Sequence, residues 1–141
     1  RVLIGAACIL PGIAASFMHH PYQYVYYNGL VGWSSHIHGR FEADYWGTSM
    51  CAAGRYLDDE IDNDTSIFVV THILGMLMDR CTAASPHFFY DEGADPENQP
   101  DYAVVLARWG AEEYFYSDLH VAHTITIGET PLAVIRKASK D

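Results

Sequence analysis

The sequence predicts an α/β fold: one N-terminal transmembrane or membrane-proximal helix, followed by a small α/β sheet domain that ends in a β-hairpin. Three observations support this prediction. Residues 2–39 contain no Asp, Glu, Lys or Arg, strand and helix patterns alternate between residues 66 and 107, and two apolar segments flank a Gly-Glu-Thr-Pro turn near the C-terminus. A length of 141 residues is enough for one hydrophobic core and too short for two ordinary domains.

The charge balance excludes one class of partner. The formal net charge is −10, and the eight Lys and Arg residues are scattered along the chain. Phosphate backbones are bound by clustered basic side chains, so we predict no nucleic-acid partner.

The first segment, residues 2–18, is an uncharged apolar run. At 1.5 Å per residue, such a helix is roughly 25 Å long, a little short of a hydrocarbon core about 30 Å thick. The chain begins at Arg1 rather than at Met, so we expect a piece of a longer protein or a processed form. We therefore predict that residues 1–20 are the C-terminal part of a transmembrane helix.

Two alternatives to a membrane helix remain open, namely a secretory signal peptide and a buried core helix. Aromatic residues directly after the apolar run favour the membrane helix, because their rings prefer the headgroup region. These residues are Tyr22, Tyr24, Tyr26, Tyr27 and Trp33. Pro21 ends the helix by His20, and the alternating tyrosines predict an extended segment within a linker over residues 21–47.

Residues 39–49 (Gly-Arg-Phe-Glu-Ala-Asp-Tyr-Trp-Gly-Thr-Ser) contain the candidate binding residues. Arg40, Glu42 and Asp44 occupy alternate positions, so an extended backbone would place all three side chains on one side. One guanidinium with two carboxylates leaves an acceptor free for a sugar hydroxyl or a cation. The simpler interpretation, which we favour, is that Arg40 fixes the loop by pairing with Glu42 or Asp44 while Tyr45 and Trp46 pack underneath.

Residues 48–141 are predicted to form the soluble α/β domain. Thr48 and Ser49 cap a helix that runs to about Ile61. Residues 66–70 form a buried strand, Thr71 caps a helix over residues 72–81, and residues 87–90 form a parallel second strand. Residues 91–101 are predicted to be an acidic loop.

The remaining elements complete the predicted sheet. Residues 102–107 carry the strongest strand pattern, whereas residues 111–121 are ambiguous between helix and strand. Residues 123–127 and 132–136, joined by the turn at 128–131, are predicted to form the closing β-hairpin.

The cysteines and histidines are candidate reactive or metal-binding groups. Cys51 and Cys81 could pair in an oxidising compartment, but the favoured interpretation is that they are free buried thiols. His36 and His38, with a nearby carboxylate, could hold zinc or manganese. Such spacings are common by chance, so we predict no metal site in this chain.

Two motifs resemble those of a known family. His-Pro-Tyr-Gln-Tyr-Val-Tyr-Tyr-Asn at residues 20–28, paired with residues 39–49, is similar to the region after the last transmembrane helix of polytopic glycosyltransferases. These are the family 39 enzymes, which are protein O-mannosyltransferase-like and aminoarabinose-transferase-like. Residues 123–137 are similar to the hairpin that closes their extracytoplasmic domain.

The resemblance implies the C-terminal extracytoplasmic domain of an integral-membrane hexosyltransferase that uses a polyprenyl-phosphate-linked sugar. It implies a membrane location, with the soluble domain periplasmic or extracellular and in contact with lipid and upstream transmembrane helices. The family's catalytic acid and any divalent metal would lie upstream, so this chain alone should be inactive and without a cofactor. Substrate or structural roles would fall to His20, Tyr22, Arg40, Glu42, Asp44, Tyr45 and Trp46. The alternative is a membrane-anchored or secreted α/β binding module without catalysis.

Overall fold

The computed structural model describes residues 2–27, 37–90 and 99–139. Within these ranges the chain forms α-helices, β-strands and one short 3-10 helix, Gln23–Val25. The α-helices are α1 Val2–Met18, α2 Ser49–Leu57, α3 His72–Asp79 and α4 Ala111–Tyr114. The strands are β1 Ser66–Val69, β2 His87–Phe89, β3 Tyr102–Leu106, β4 His120–Ile127 and β5 Thr130–Lys137.

The strands form one mixed five-stranded sheet in the order β2-β1-β3-β5-β4. The first three strands are parallel, and β5 runs antiparallel to both β3 and β4. The predicted α/β class, the parallel strand–helix–strand unit and the closing hairpin are therefore confirmed. The ambiguous segment after Gly110 begins with the short α4. The predicted acidic loop falls mainly on residues 91–98, outside the described ranges.

Alternation along the central strands supplies a core on each face of the sheet. Ile67 and Val69 pack in the larger cluster with the α2 and α3 residues Met50, Leu57 and Met78. On the opposite face, Phe68 and Ala103 pack in a smaller cluster with Tyr116 and Leu119, which follow α4. Successive side chains of a strand point to opposite faces, which explains why both faces are covered. All of β3 is buried, so its run of apolar residues needs no polar alternation.

Helix α1 continues through Pro11 and exposes most of its apolar surface. Its exposed large side chains are Ile4, Ile9, Leu10, Ile13, Phe17 and Met18. Placement as a buried core helix is therefore wrong. Across residues 2–27, 37–90 and 99–139, no helix combines the length and apolar character needed to cross a membrane.

The aromatic segment after α1 is not the predicted extended run, because residues 23–25 form the 3-10 helix. The cause is local packing: Val25 is turned inward and is fully buried in the main core together with Ile37. Tyr27 stacks on Phe41, with 5.2 Å between ring centroids. This part of the linker therefore packs against the α/β domain.

The predicted helix boundaries are partly wrong. Helix α2 ends at Leu57 rather than near Ile61, and no Thr48 side-chain bond caps it. In α3 the Thr71 hydroxyl accepts a hydrogen bond from the Leu74 amide, so the predicted cap is confirmed.

Cys51 and Cys81 form a disulfide, so the favoured interpretation of free thiols is wrong. Cys51 lies in α2 and Cys81 lies just beyond α3, and their Cα atoms are 5.2 Å apart. This separation is ordinary for a bridge. Two helices that lie side by side on one sheet face are thereby joined covalently, which residue spacing alone could not show.

Gly54→Ala is expected to destabilise the domain by about 1–2 kcal/mol, although Ala is the better helix former. A Cβ at Gly54 would lie 3.0 Å from the Met78 carbonyl oxygen and 2.9 Å from Cγ2 of Thr82, and backbone in α3 cannot rotate away. Gly12→Ala, in α1, meets nothing within 4 Å and is the matched control. Urea unfolding of both variants measures the difference. Equal stability would show that α2 and α3 are not held this close.

Candidate functional site

The site lies beyond the carboxyl ends of β1 and β3, which are adjacent parallel strands. The chain leaving β1 returns to the sheet at β2 on one side, whereas the chain leaving β3 returns on the other side. Connections that diverge in this way open a crevice between the two strand ends, which is the usual ligand position in open α/β sheets. Two clefts lie there, and Trp109 lines both.

The apolar cleft has a volume of about 530 Å³. Its walls come from the loop before α2, the start of α3, the end of β3 and α4. The lining residues are Tyr45, Trp46, Val70, Thr71, Ile73, Leu74, Leu106, Arg108, Trp109, Ala111 and Phe115. Tyr45 and Trp46 are thus on the rim, with Trp46 68% exposed, and the prediction that they pack underneath the loop is wrong.

The polar cleft, on the other side of Trp109, has a volume of about 380 Å³. It is formed by the loop before α2 and by the β3–α4 connection. The lining residues are His38, Gly39, Arg40, Phe41, Glu42, Ala107, Trp109, Gly110, Glu113 and Tyr114. Both volumes fall in the range of small-molecule sites.

Arg108 links the loop before α2 to the β3–α4 connection. Its guanidinium carbon lies 4.6 Å from the centroid of the Tyr45 ring and 4.1 Å from that of Trp109, so it is stacked against two aromatic faces. Its Nε forms an ion pair with Glu42. The predicted partner of Glu42 was Arg40, and that prediction is wrong. The charge of Arg108 is offset by Glu42, which leaves this unit close to neutral.

The backbone at Trp109 is strained. Trp109 has φ 54° and Gly110 has φ 74°, both in the left-handed region. Glycine adopts this region freely, whereas a bulky residue does so at a cost of about 1–3 kcal/mol. Such residues concentrate at functional sites, and here the conformation turns the indole outward at the junction of the clefts.

Glu112 is a buried carboxylate behind the polar cleft, with an exposed fraction of 7%. The Nε2 atom of His38 lies 3.3 Å from its Oε1 atom. Neither carboxylate oxygen has a hydrogen-bond donor elsewhere in the described part of the chain. The backbone carbonyl of Glu112 accepts a hydrogen bond of 2.9 Å from Arg136, which anchors α4 to β5.

Asp44 has a structural position rather than a place in either cleft. It is 3% exposed and accepts hydrogen bonds from the backbone amides of Thr48 (3.0 Å) and Ser49 (2.8 Å) at the start of α2. The Tyr24 hydroxyl also donates to it at 2.5 Å. Because this turn buries Asp44 while Arg40 stays exposed, the predicted placement of Arg40, Glu42 and Asp44 on one side is wrong.

The remaining candidates lie apart from the clefts. His20 is exposed, and its Nδ1 is 2.8 Å from Nε2 of the Gln23 side chain. Tyr22 is half-buried on the core, where burial and then the charge of Asp44 raise its pKa, opposed by Arg55. His36 lies outside the described residues, and no group of three metal-ligating side chains occurs within the ranges that are described.

Stability is expected to fall as the pH rises above about 10. Burial, followed by the hydrogen bond to Asp44, raises the pKa of Tyr24 above its ordinary value of 10.0. Hydrogen bonding to Tyr102 likewise raises the pKa of Lys137. The folded chain therefore keeps protons that the unfolded chain releases, so the free energy of unfolding decreases through this range. Urea unfolding at about pH 8 and about pH 11 measures the loss, and Tyr24→Phe should reduce it. A pH-independent midpoint would contradict the prediction.

Sequence reasoning missed four residues that line the clefts, Arg108, Trp109, Glu113 and Tyr114, and the buried Glu112 behind the polar cleft. The available signal was the Arg-Trp-Gly sequence directly after the strongest predicted strand, because ligands bind at such strand ends. Comparison of the chain with protein-family models, with curated proteins and with solved structures finds no match.

Proposed function

We propose that this chain is the C-terminal extracytoplasmic domain of an integral-membrane glycosyltransferase that uses a polyprenyl-phosphate-linked sugar. The observation that carries the proposal is α1, whose apolar side chains are exposed while the domain beside it has its own core. An apolar helix whose side chains stay exposed within the described part of the chain fits contact with lipid or with other membrane helices.

Two further observations support the proposal, one on the compartment and one on the position beside a bilayer. The Cys51–Cys81 disulfide fits an oxidising compartment such as the periplasm or the cell exterior, where disulfides persist. The aromatic residues that follow α1, including Tyr24 and Tyr26, fit the headgroup region of a bilayer. The motif resemblance at residues 20–28 and 39–49 supports the transferase class.

On this proposal the catalytic acid and any divalent metal belong to upstream parts of the enzyme. The domain contributes acceptor or lipid-sugar access through the two clefts at the carboxyl ends of β1 and β3. Arg40, Glu42, Tyr45 and Trp46 lie at these clefts. Asp44, and Tyr22 on the core, would support the loop that carries them.

The test uses the gene that encodes this chain together with the sequence that precedes it. We expect several further apolar spans and an early loop with an acidic residue. The complete protein, reconstituted in liposomes with a polyprenyl-phosphate-linked hexose and a membrane extract as acceptor source, should release polyprenyl phosphate. The chain alone should not. A reading frame without further apolar spans, or an intact protein that leaves the donor unchanged, would favour a membrane-anchored or secreted binding module.

A further inference from the structure

The polar cleft exposes aromatic rings at its rim. Trp109 is 79% exposed, Tyr114 is 77% exposed, and Phe41 is also exposed. Exposed rings that are grouped at one cleft form an apolar patch of the kind that marks ligand-binding grooves. Their flat apolar faces match the C–H face of a pyranose ring, and the strained backbone at Trp109 keeps one such face presented outward.

The polar side chains of the cleft offer both donors and acceptors. The Arg40 side chain has no ion-pair or hydrogen-bond partner within the described residues, so its guanidinium donors are free for a ligand. Glu113 supplies an exposed carboxylate at the same wall. Each sugar hydroxyl both donates and accepts, and planar side chains such as Arg and Glu bind adjacent hydroxyls with two bonds.

Charge selects between a neutral sugar and an anion. Arg40 and Glu113 balance one another, and Arg108 is already neutralised by Glu42. The buried Glu112 adds further negative charge behind the wall, and the chain as a whole carries −10. A phosphate or carboxylate would be repelled by this field, whereas a neutral ligand is not.

The walls of the cleft are already positioned. His38 contacts Glu112, Arg108 stacks on Trp109, and Arg136 anchors α4 through the Glu112 carbonyl. A site whose side chains are fixed before binding loses less conformational entropy when the ligand arrives.

We propose that the polar cleft binds a neutral hexopyranose unit, and that this unit belongs to the acceptor. The ring stacks on Trp109, and its hydroxyls bind Arg40 and Glu113. The assignment of this hexose to the acceptor rests on the proposed function. Sugar binding itself is measurable on the isolated chain, which needs no catalytic residues for it.

The experiment is saturation-transfer NMR of the full chain with neutral hexoses and their short oligomers. The detergent must have no sugar headgroup, because a glucoside or maltoside would compete for the cleft. We expect millimolar binding of at least one hexose. Arg40→Ala and Trp109→Ala should each weaken it by about tenfold or more. Arg80→Ala, an exposed arginine beyond α3, is the matched control and should bind as the wild type does.

Arg40→Ala is the decisive variant. The Arg40 side chain forms no ion pair or hydrogen bond within the described fold, so its removal should leave the melting temperature unchanged. Failure of every neutral hexose to bind, or binding by the Arg40→Ala and Trp109→Ala variants that is as tight as that of the wild type, would overturn the proposed site. Neither result bears on polyprenyl-phosphate release by the complete protein. Conversely, an inactive complete protein whose isolated chain still binds hexose would retain the site and remove the transferase.

Discussion

Replacing both Cys51 and Cys81 by Ala is expected to lower the free energy of unfolding by about 3–4 kcal/mol. The bridge closes a loop between residues 30 positions apart that contains β1 and α3. Its removal therefore increases the conformational entropy of the unfolded chain. The folded state loses its covalent link between α2 and α3. Urea unfolding of the full chain in one buffer and detergent measures the effect.

The same bridge leads to a prediction that needs no measurement of stability. Alkylation of the unreduced, denatured chain should modify one of the three cysteines, and alkylation after reduction should modify all three. Cys8→Ala is the control and should remove the single modification seen before reduction. Three modifications without reduction would show that the bridge does not form.

Asp44→Ala is expected to cost about 3 kcal/mol. The substitution leaves the Thr48 and Ser49 amides at the start of α2 without their acceptor, and it also removes one partner of the Tyr24 hydroxyl, which keeps its contact with the Thr48 hydroxyl. Hydrogen bonds to a charged, buried group are worth more than neutral ones, and the Ser49 amide left without its acceptor is at a fully buried residue. Circular dichroism during urea unfolding measures the loss.

Two variants of the same protein sharpen this prediction. Asp44→Asn keeps the shape and one acceptor, so it should cost about half as much. Asp59→Ala removes an exposed carboxylate beyond α2 and should change stability by no more than about 0.5 kcal/mol. An Asp44→Ala variant as stable as Asp59→Ala would show that the carboxylate is not the cap of α2.

Periodicity explains which elements could be predicted. The apolar runs that became β1 and β3 and the hairpin of β4 and β5 follow from local sequence, because burial of a strand requires these residue types. The Thr71 cap of α3 is equally local. The predicted end of α2 lies about four residues beyond the observed end at Leu57. The acidic residues after Leu57 are compatible with a solvated helix and also with the turn that forms.

The candidate site was predicted only in part. Residues 39–49 do supply walls of both clefts, through Arg40, Glu42, Tyr45 and Trp46. Their roles were wrong, because alternation within an assumed extended segment placed Asp44 beside Arg40. The turn that buries Asp44 is fixed by its bonds to α2, and the partner of Glu42 comes from the far end of β3.

The sequence by itself determined the α/β class, the positions of the main strands along the chain and the apolar, uncharged character of the first helix. These features depend on residues that are close together in the chain. Only the tertiary structure decided the Cys51–Cys81 bridge, the Arg108–Glu42 pair, the His38–Glu112 contact and the division of the site by Trp109. The three pairs join residues between 30 and 74 positions apart in the chain. Trp109 differs, because its backbone is left-handed and its ring is stacked by its neighbour Arg108 at the start of the turn into α4. Such contacts are selected by packing of the whole sheet, which no local pattern encodes.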